Sequence, residues 1–323
     1  MPAEQMWHWA NPTGRRLAVG WSSTGTEQLS TASTHPAVVL IHGFGANTDH
    51  WRHTMPALGR HTPTFALDLI GFGQSSQPCA LLNREQNSPN ANDDLHYSFD
   101  LWGEQVASFC REIVDRPVLL VGNSIGGVVA LRAAQLLTNH PGGHPSGSRC
   151  CGVVLIDCAQ RLMDDKQLAH QPAWMAWIRP LIKGLVSQRW LSSALFRNAA
   201  RPSVIRSVLK QAYPSGANID EALVDLLFQP TQRQGAAEAF RGFINLFDDH
   251  LAPDLLQDLS VPVDLIWGEK DPWEPLQEAE RWVQRYAAVR SLSVIAEGGH
   301  CPHDEHPEQV NPLLLRCLTQ QAT

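Results

Sequence analysis

The chain has 323 residues, a formal net charge of −7, eleven Trp and seven Cys. Its length admits one large α/β domain or two small ones and is enough to bury a sizeable core. The acidic balance, with no basic run, argues against a nucleic-acid partner, and an odd cysteine count with no CxxC pair argues against a disulfide framework.

Several cysteines fall inside apolar runs such as Cys150–Cys158, where they read as small hydrophobes in a reducing compartment. The N-terminal stretch has no cationic end followed by an apolar run, so no signal peptide is expected, and no apolar run reaches membrane-spanning length. The expected setting is intracellular: cytoplasmic, or peripheral to a membrane.

Met6–Trp9 and Arg15–Trp21 flank the turn signal Asn11-Pro12-Thr13-Gly14 and read as an antiparallel hairpin. Ser22–Thr34 reads as a loop. Pro36–Ile41 is a buried strand running into His42-Gly43-Phe44-Gly45, Asp49–Leu58 a helix, and Pro63–Leu69 a strand. Gln77–Asp94, rich in Asn, Pro and Ser, reads as a surface excursion. Phe99–Val114 carries apolar residues at helical spacing and delivers the chain to the strand Pro117–Val121, followed by a helix fading near Leu137. Asn139–Arg149 is a linker. Its His140 and His144 have no carboxylate or Cys beside them to complete a metal set, so no metal is expected.

Gly152–Ile156 is the next strand and ends at Asp157. From there to about Pro253 no strand-like run appears; Leu191–Phe196, Val204–Leu209, Ile219–Phe228 and Ala236–Phe247 are expected helices, and Pro180 must kink or break another. Alternation then resumes with strand Val261–Trp267, helix Pro275–Ala287, strand Ser291–Ala296 and helix Pro307–Gln320. The fold class is therefore α/β: a doubly wound, mostly parallel sheet. Residues 1–158 and 254–323 form the core, and an all-helical cap, 159–253, is inserted before the last two strands.

Gly122-Asn123-Ser124-Ile125-Gly126 joins the central strand to its helix. Strand, Gly-x-Ser-x-Gly, helix is the setting of a nucleophile elbow: the turn is so tight that side chains at Gly122 and Gly126 would collide, and the serine hydroxyl is pushed outward. Ligands of such a sheet sit at the C-terminal strand ends. Four of these ends carry useful groups: Ser124, the His42–Gly45 loop, Asp271 and His300. Ser124 is the expected nucleophile, His300 the base and Asp271 the acid that orients it. The backbone N–H groups of Phe44 and Ile125 are the expected oxyanion hole, with Gly43 and Gly45 clearing the approach. Asp157 is a rival acid, His303 and His306 rival bases, and Cys301 a rival nucleophile. His42 reads as a histidine bonded to the backbone.

These motifs, with Asp68-Leu69-Ile70-Gly71-Phe72-Gly73, resemble the α/β-hydrolase superfamily, in the branch of epoxide hydrolases and haloalkane dehalogenases. Those two carry aspartate at the elbow; Ser124 points to ester chemistry. Three phrases, Val121–Gly127, Trp267–Trp273 and Gly299–Glu305, are similar to those of the pheophytinase and chlorophyll dephytylase group of esterases. That resemblance implies an α/β-hydrolase fold and release of phytol, a long apolar alcohol, from chlorophyll-type pigments by a Ser-His-Asp triad without a cofactor. Trp174, Trp177, Leu181, Leu185, Trp190 and Phe196 are the expected lining of an apolar substrate channel in the cap. The partner is then a hydrophobic small-molecule ester, and an exposed apolar cap could rest on a lipid surface without spanning it. A carboxylesterase or lipase of unrelated substrate and a hydrolase-fold ligand receptor fit the same residues. Oligomeric state is not encoded in any motif.

Overall fold

In the computed structural model the described residues are 4–26, 36–82, 85, 94–138, 150–160 and 183–321. The apolar runs become eight strands: β1 (Gln5–Ala10), β2 (Arg16–Thr24), β3 (Ala37–Ile41), β4 (Thr64–Leu67), β5 (Val118–Asn123), β6 (Cys150–Ile156), β7 (Val263–Gly268) and β8 (Val289–Ile295). They form one sheet in the order β1-β2-β4-β3-β5-β6-β7-β8. The hairpin β1–β2 and the β2–β4 pair are antiparallel, and every later pairing is parallel. The all-buried patterns of β3, β4, β5 and β7 follow from helices covering both faces.

Strand alternation divides the core in two. Val118 and Leu120 of β5 point to one face, against α2 (Phe99–Phe109) and α3 (Ile125–Thr138). Leu119 and Val121 point to the other, against α1 (Thr54–Leu58) and the C-terminal helix. On the first face, Trp102 of α2 is fully buried and its indole N–H donates to the Ile70 carbonyl at 2.9 Å.

Between β6 and β7 the described elements are helices: α4 (Arg189–Ala199), α5 (Pro202–Ala212), α6 (Glu221–Phe228), α7 (Ala236–Ile244) and α8 (Ala252–Gln257). The last helices are α9 (Leu276–Arg285), α10 (Pro302–Glu305) and α11 (Pro307–Thr319). The linker with His140 and His144 lies outside the described residues, as do Trp174, Trp177 and Leu181.

Three local expectations are corrected. The predicted loop from Ser22 begins later, because β2 runs to Thr24 and pairs with Thr64. The predicted helix Asp49–Leu58 is a 3₁₀ turn, Thr48–Trp51, followed by α1; Pro56 has no N–H to donate to Arg52, which removes one of the bonds that would join the two. The Phe99–Val114 helix ends as α-helix at Phe109 and closes with a π turn, Cys110–Val114. Two helices carry a proline in their first turn, Pro253 in α8 and Pro302 in α10, where an N–H has no intrahelical partner to lose.

Trp102→Ala removes the largest side chain between α2 and the sheet and strands the Ile70 carbonyl. It is expected to destabilise the fold by about 3–5 kcal/mol, read from denaturant unfolding.

Candidate active site

β5 ends at Asn123 and α3 begins at Ile125, so Ser124 alone joins strand to helix. Its φ is +55°, a left-handed conformation that strains a residue bearing a Cβ. The turn leaves no room beneath it: a Cβ on Gly122 would lie 2.1 Å from the Gly126 carbonyl oxygen, and one on Gly126 2.3 Å from that of Ile41. Ser124 N–H donates to the Ile156 carbonyl at 3.0 Å, and its own carbonyl accepts from Gly127 and Ala159. The hydroxyl is left for the cavity that Ser124 lines.

His300 lines the same cavity. Its Nδ1 lies 2.8 Å from Oδ2 of Asp271, while Oδ1 of Asp271 accepts from the N–H groups of Trp273 and Glu274. An ionised carboxylate only accepts, so Nδ1 is the protonated nitrogen, and in the neutral ring the lone pair belongs to Nε2. Burial alone would push the Asp271 carboxyl up; the bond and charge of His300 and the Trp273 N–H outweigh it and hold it below the ordinary range. The Trp273 ring meets the imidazole edge-on at 4.8 Å. Among the described residues no hydrogen bond joins Ser124 Oγ to the imidazole.

Backbone bonds tie the histidine loop to its surroundings. Asn123, next to the elbow, donates from Nδ2 to the carbonyls of His300 and Ile156. His300 N–H donates to Ala212 at the end of α5, at 2.8 Å. Glu305 accepts from Gly299 N–H with one oxygen and from the N–H and hydroxyl of Ser215 with the other. Neither Asn123 nor Glu305 stood out in the sequence, since their partners are carbonyls and amides without a motif.

Asp157, the rival acid, is fully buried behind Asp271 and not on the imidazole. Its Oδ1 accepts from Gly268 N–H at 2.8 Å, and its Oδ2 faces no donor. Burial first, then the negative charge of Asp271, pushes this carboxyl well above its ordinary range. With its proton kept, Asp157 gives Asp271 one more hydrogen bond. Glu274 is likewise pushed up to about 8, by burial and by Asp271.

The other rivals sit elsewhere. His303 is buried against Trp51 and His50. His306 Nδ1 lies 3.4 Å from Glu308. Cys301 lines the cavity, but burial pushes its thiol well above its ordinary range. His42 accepts at Nε2 from Leu69 N–H, so its Nδ1–H donates to the Gly43 carbonyl at 2.7 Å; burial lowers it to about 4 and it stays neutral. It thereby braces the loop Gly43-Phe44-Gly45. Among the described residues the N–H groups of Phe44 and Ile125 find no acceptor, and both residues line the cavity.

The cavity measures about 540 Å³. Phe44 stacks on Phe243 at 4.0 Å, with Phe72 and Phe240 against its other sides. Ile205 and Leu209 of α5 form the far wall with Phe196 of α4. Of the expected channel residues that are described, Phe196 alone lines it. Leu185 and Trp190 are 52 % and 69 % exposed and lie outside the lining, a correction to that expectation. On α4 the inward face carries Ser192 and Phe196, and Trp190 falls on the opposite side. Ile205, Leu209, Phe240 and Phe243 lie in stretches expected as helices, and helical spacing alone does not mark them as walls of this cavity.

Residues 38–313 match the alpha/beta hydrolase family. The chloroplastic pheophytinase of Arabidopsis thaliana is 27 % identical, over 93 % of this chain and 63 % of the pheophytinase, so the chain spans less than two thirds of that relative. The pimeloyl-[acyl-carrier protein] methyl ester esterase of Aeromonas hydrophila is 26 % identical over 85 % of this chain and 92 % of the esterase. Among solved structures, a serine hydrolase involved in carbazole degradation superposes with a TM-score of 0.71 at 18 % identity, covering 99 % of this chain and 100 % of its own. A thermophilic esterase from Thermogutta terrifontis gives 0.68 at 20 % identity, with coverage of 99 % and 100 %.

Asp157 sets a pH dependence whose sign follows from its buried proton. Above the ordinary 3.8 of a free Asp carboxyl the unfolded chain loses this proton while the folded chain keeps it. Over that window the contribution of Asp157 to stability falls as pH rises, by at most about 1.4 kcal/mol per pH unit. Asp157→Asn keeps a donor toward Asp271 and has no proton to hold. Its stability relative to wild type is expected to increase steadily with pH, measured by denaturant unfolding across a pH series.

Proposed function

The chain belongs to the alpha/beta hydrolase family, and from that membership we propose that it is a serine ester hydrolase acting on a bulky apolar carboxylic ester. The observation that carries this reading is the convergence of a strained Ser124 and a His300–Asp271 pair, 2.8 Å apart, on one aromatic-walled cavity.

In the proposed reaction Ser124 Oγ attacks the ester carbonyl carbon while His300 Nε2 takes the hydroxyl proton. Asp271 holds the Nδ1–H tautomer and offsets the charge of the imidazolium that forms. The N–H groups of Ile125 and Phe44 hold the tetrahedral oxyanion; the positive end of α3 lies on the same side. Collapse breaks the C–O bond of the ester, and the leaving alkoxide takes the proton back from His300. Water, deprotonated by the same nitrogen, then attacks the acyl-serine carbonyl and frees the acid, regenerating Ser124. Residues 159–253 are proposed as the cap over this cavity, contributing Phe196, Ile205, Leu209, Phe240 and Phe243 to its walls.

Within apolar esters we infer a phytol ester of a chlorophyll-type pigment, chlorophyll a or pheophytin a. Two things support it: the 27 % identity to a pheophytinase, and walls on which an apolar alcohol gains about 0.8 kcal/mol for each buried methylene.

Ser124→Ala is expected to lower turnover of a short activated ester by at least about a thousandfold with unchanged thermal melting. Retained turnover would overturn the mechanism. Incubation of wild type with pheophytin a and chlorophyll a, followed by chromatography, should show the dephytylated pigment. If simple esters are cleaved and pigments are not, the pigment reading falls and ester hydrolysis stands.

A further inference from the structure

The chain as a whole is acidic, with 32 Asp and Glu against 25 Lys and Arg. Residues 183–212, which contain α4 and α5, reverse that balance: Lys183, Arg189, Arg197, Arg201, Arg206 and Lys210 stand there with no Asp or Glu between them. Arg189 pairs with Asp94 and Glu238, and Arg206 with Glu221. Arg197, Arg201 and Lys210 are exposed and, among the described residues, in no salt bridge.

The same stretch carries exposed apolar surface. Trp190, at 69 %, is the most exposed large apolar side chain among the described residues, and Leu185 and Leu195 are exposed beside it in sequence. Trp190 and Arg197 are seven residues apart on α4 and share its outward face; Arg201 follows at the turn into α5. The opposite sides of these helices wall the cavity through Phe196, Ile205 and Leu209, and Val208 both lines it and is exposed. One pair of helices thus presents a cationic, Trp-bearing outer face and an apolar inner one that leads to Ser124.

We propose that the outer face of α4 and α5 docks on an anionic lipid bilayer, with Trp190 at the headgroup level and Arg197, Arg201 and Lys210 against lipid phosphates. Charge decides the partner and the orientation. An anionic surface repels the molecule as a whole and attracts this one face, whereas a two-fold contact of this face with its own copy would set like charges against each other. Trp suits the interface because its ring is apolar and its N–H polar. Docking this way brings Val208, at the rim of the cavity, next to the phase in which a long-chain ester dissolves. That last consequence rests on the proposed hydrolase reading; the docking itself does not.

The test uses the full chain sedimented with vesicles of phosphatidylcholine alone and of phosphatidylcholine mixed with phosphatidylserine. Binding is expected to the mixed vesicles and to weaken at high salt. The variant Arg197→Gln/Arg201→Gln/Lys210→Gln should partition roughly a hundredfold more weakly, and Trp190→Ala should also bind less. Both variants should cleave a short water-soluble ester at the wild-type rate, showing that fold and cavity are intact. No binding to mixed vesicles, or binding indifferent to the three cations, overturns the proposal. So does self-association, without vesicles, that Trp190→Ala abolishes. Vesicle binding by a protein that cleaves no ester would retain the docking and remove the hydrolase reading.

Discussion

The close passage of β5 under α3 is the constraint on which the site depends. With only one residue between strand and helix, the chain reverses direction inside a space where the Gly122 position nearly touches the Gly126 carbonyl oxygen. Ser124 accepts a left-handed backbone there because its neighbours over-determine it. β3 presses Gly126 from one side, and β6 binds the Ser124 N–H from the other. A strain on the order of 1–3 kcal/mol is held by the packing of a central strand buried on both faces. That strain sets the hydroxyl, and not a backbone group, at the cavity wall.

Electrostatics around the imidazole follow from crowding. Three carboxyls, Asp157, Asp271 and Glu274, stand behind or beside His300 in a region largely closed to water. Three adjacent negative charges would repel strongly at low effective dielectric. The structure resolves this by giving Asp271 the donors: two backbone N–H groups and the imidazole Nδ1. Asp157 receives one N–H and Glu274 one, and both are pushed upward. The ionised member is therefore the one that faces the histidine, and its neighbours favour their neutral forms.

The described residues between β6 and β7 also hold the histidine loop. Ala212 accepts the His300 N–H, and Ser215 and Asn218 bind Glu305 and the carbonyl of Asp304. Arg52 reaches from the sheet body to Asp304 and, beyond it, to Asp220 and the Asn218 carbonyl. Tyr213 donates to Asp304 and accepts from His50 Nε2. The segment that follows α5 thus forms one side of the bed in which the histidine loop lies, so motion of these helices and placement of the imidazole are mechanically linked.

The strands and the chief polar groups at their ends could be read from the amino-acid order alone. Buried parallel strands are short apolar runs that need no partner to be recognised, and a tight strand-to-helix turn demands glycine at fixed offsets. Gly122, Ser124, Gly126, Asp271 and His300 were legible for that reason, as was the all-helical character of the described part of the region before β7. Tertiary structure decided what depends on side chains meeting across long separations. It placed Asp271 and not Asp157 on His300, turned Phe196 inward and Trp190 outward on the same helix, and recruited Phe243 to stack on Phe44. Helical periodicity shows that a face exists, and a strand end shows that a carboxyl is available. Which cavity the face looks into, and which carboxyl reaches the imidazole, is settled by how the elements pack in three dimensions.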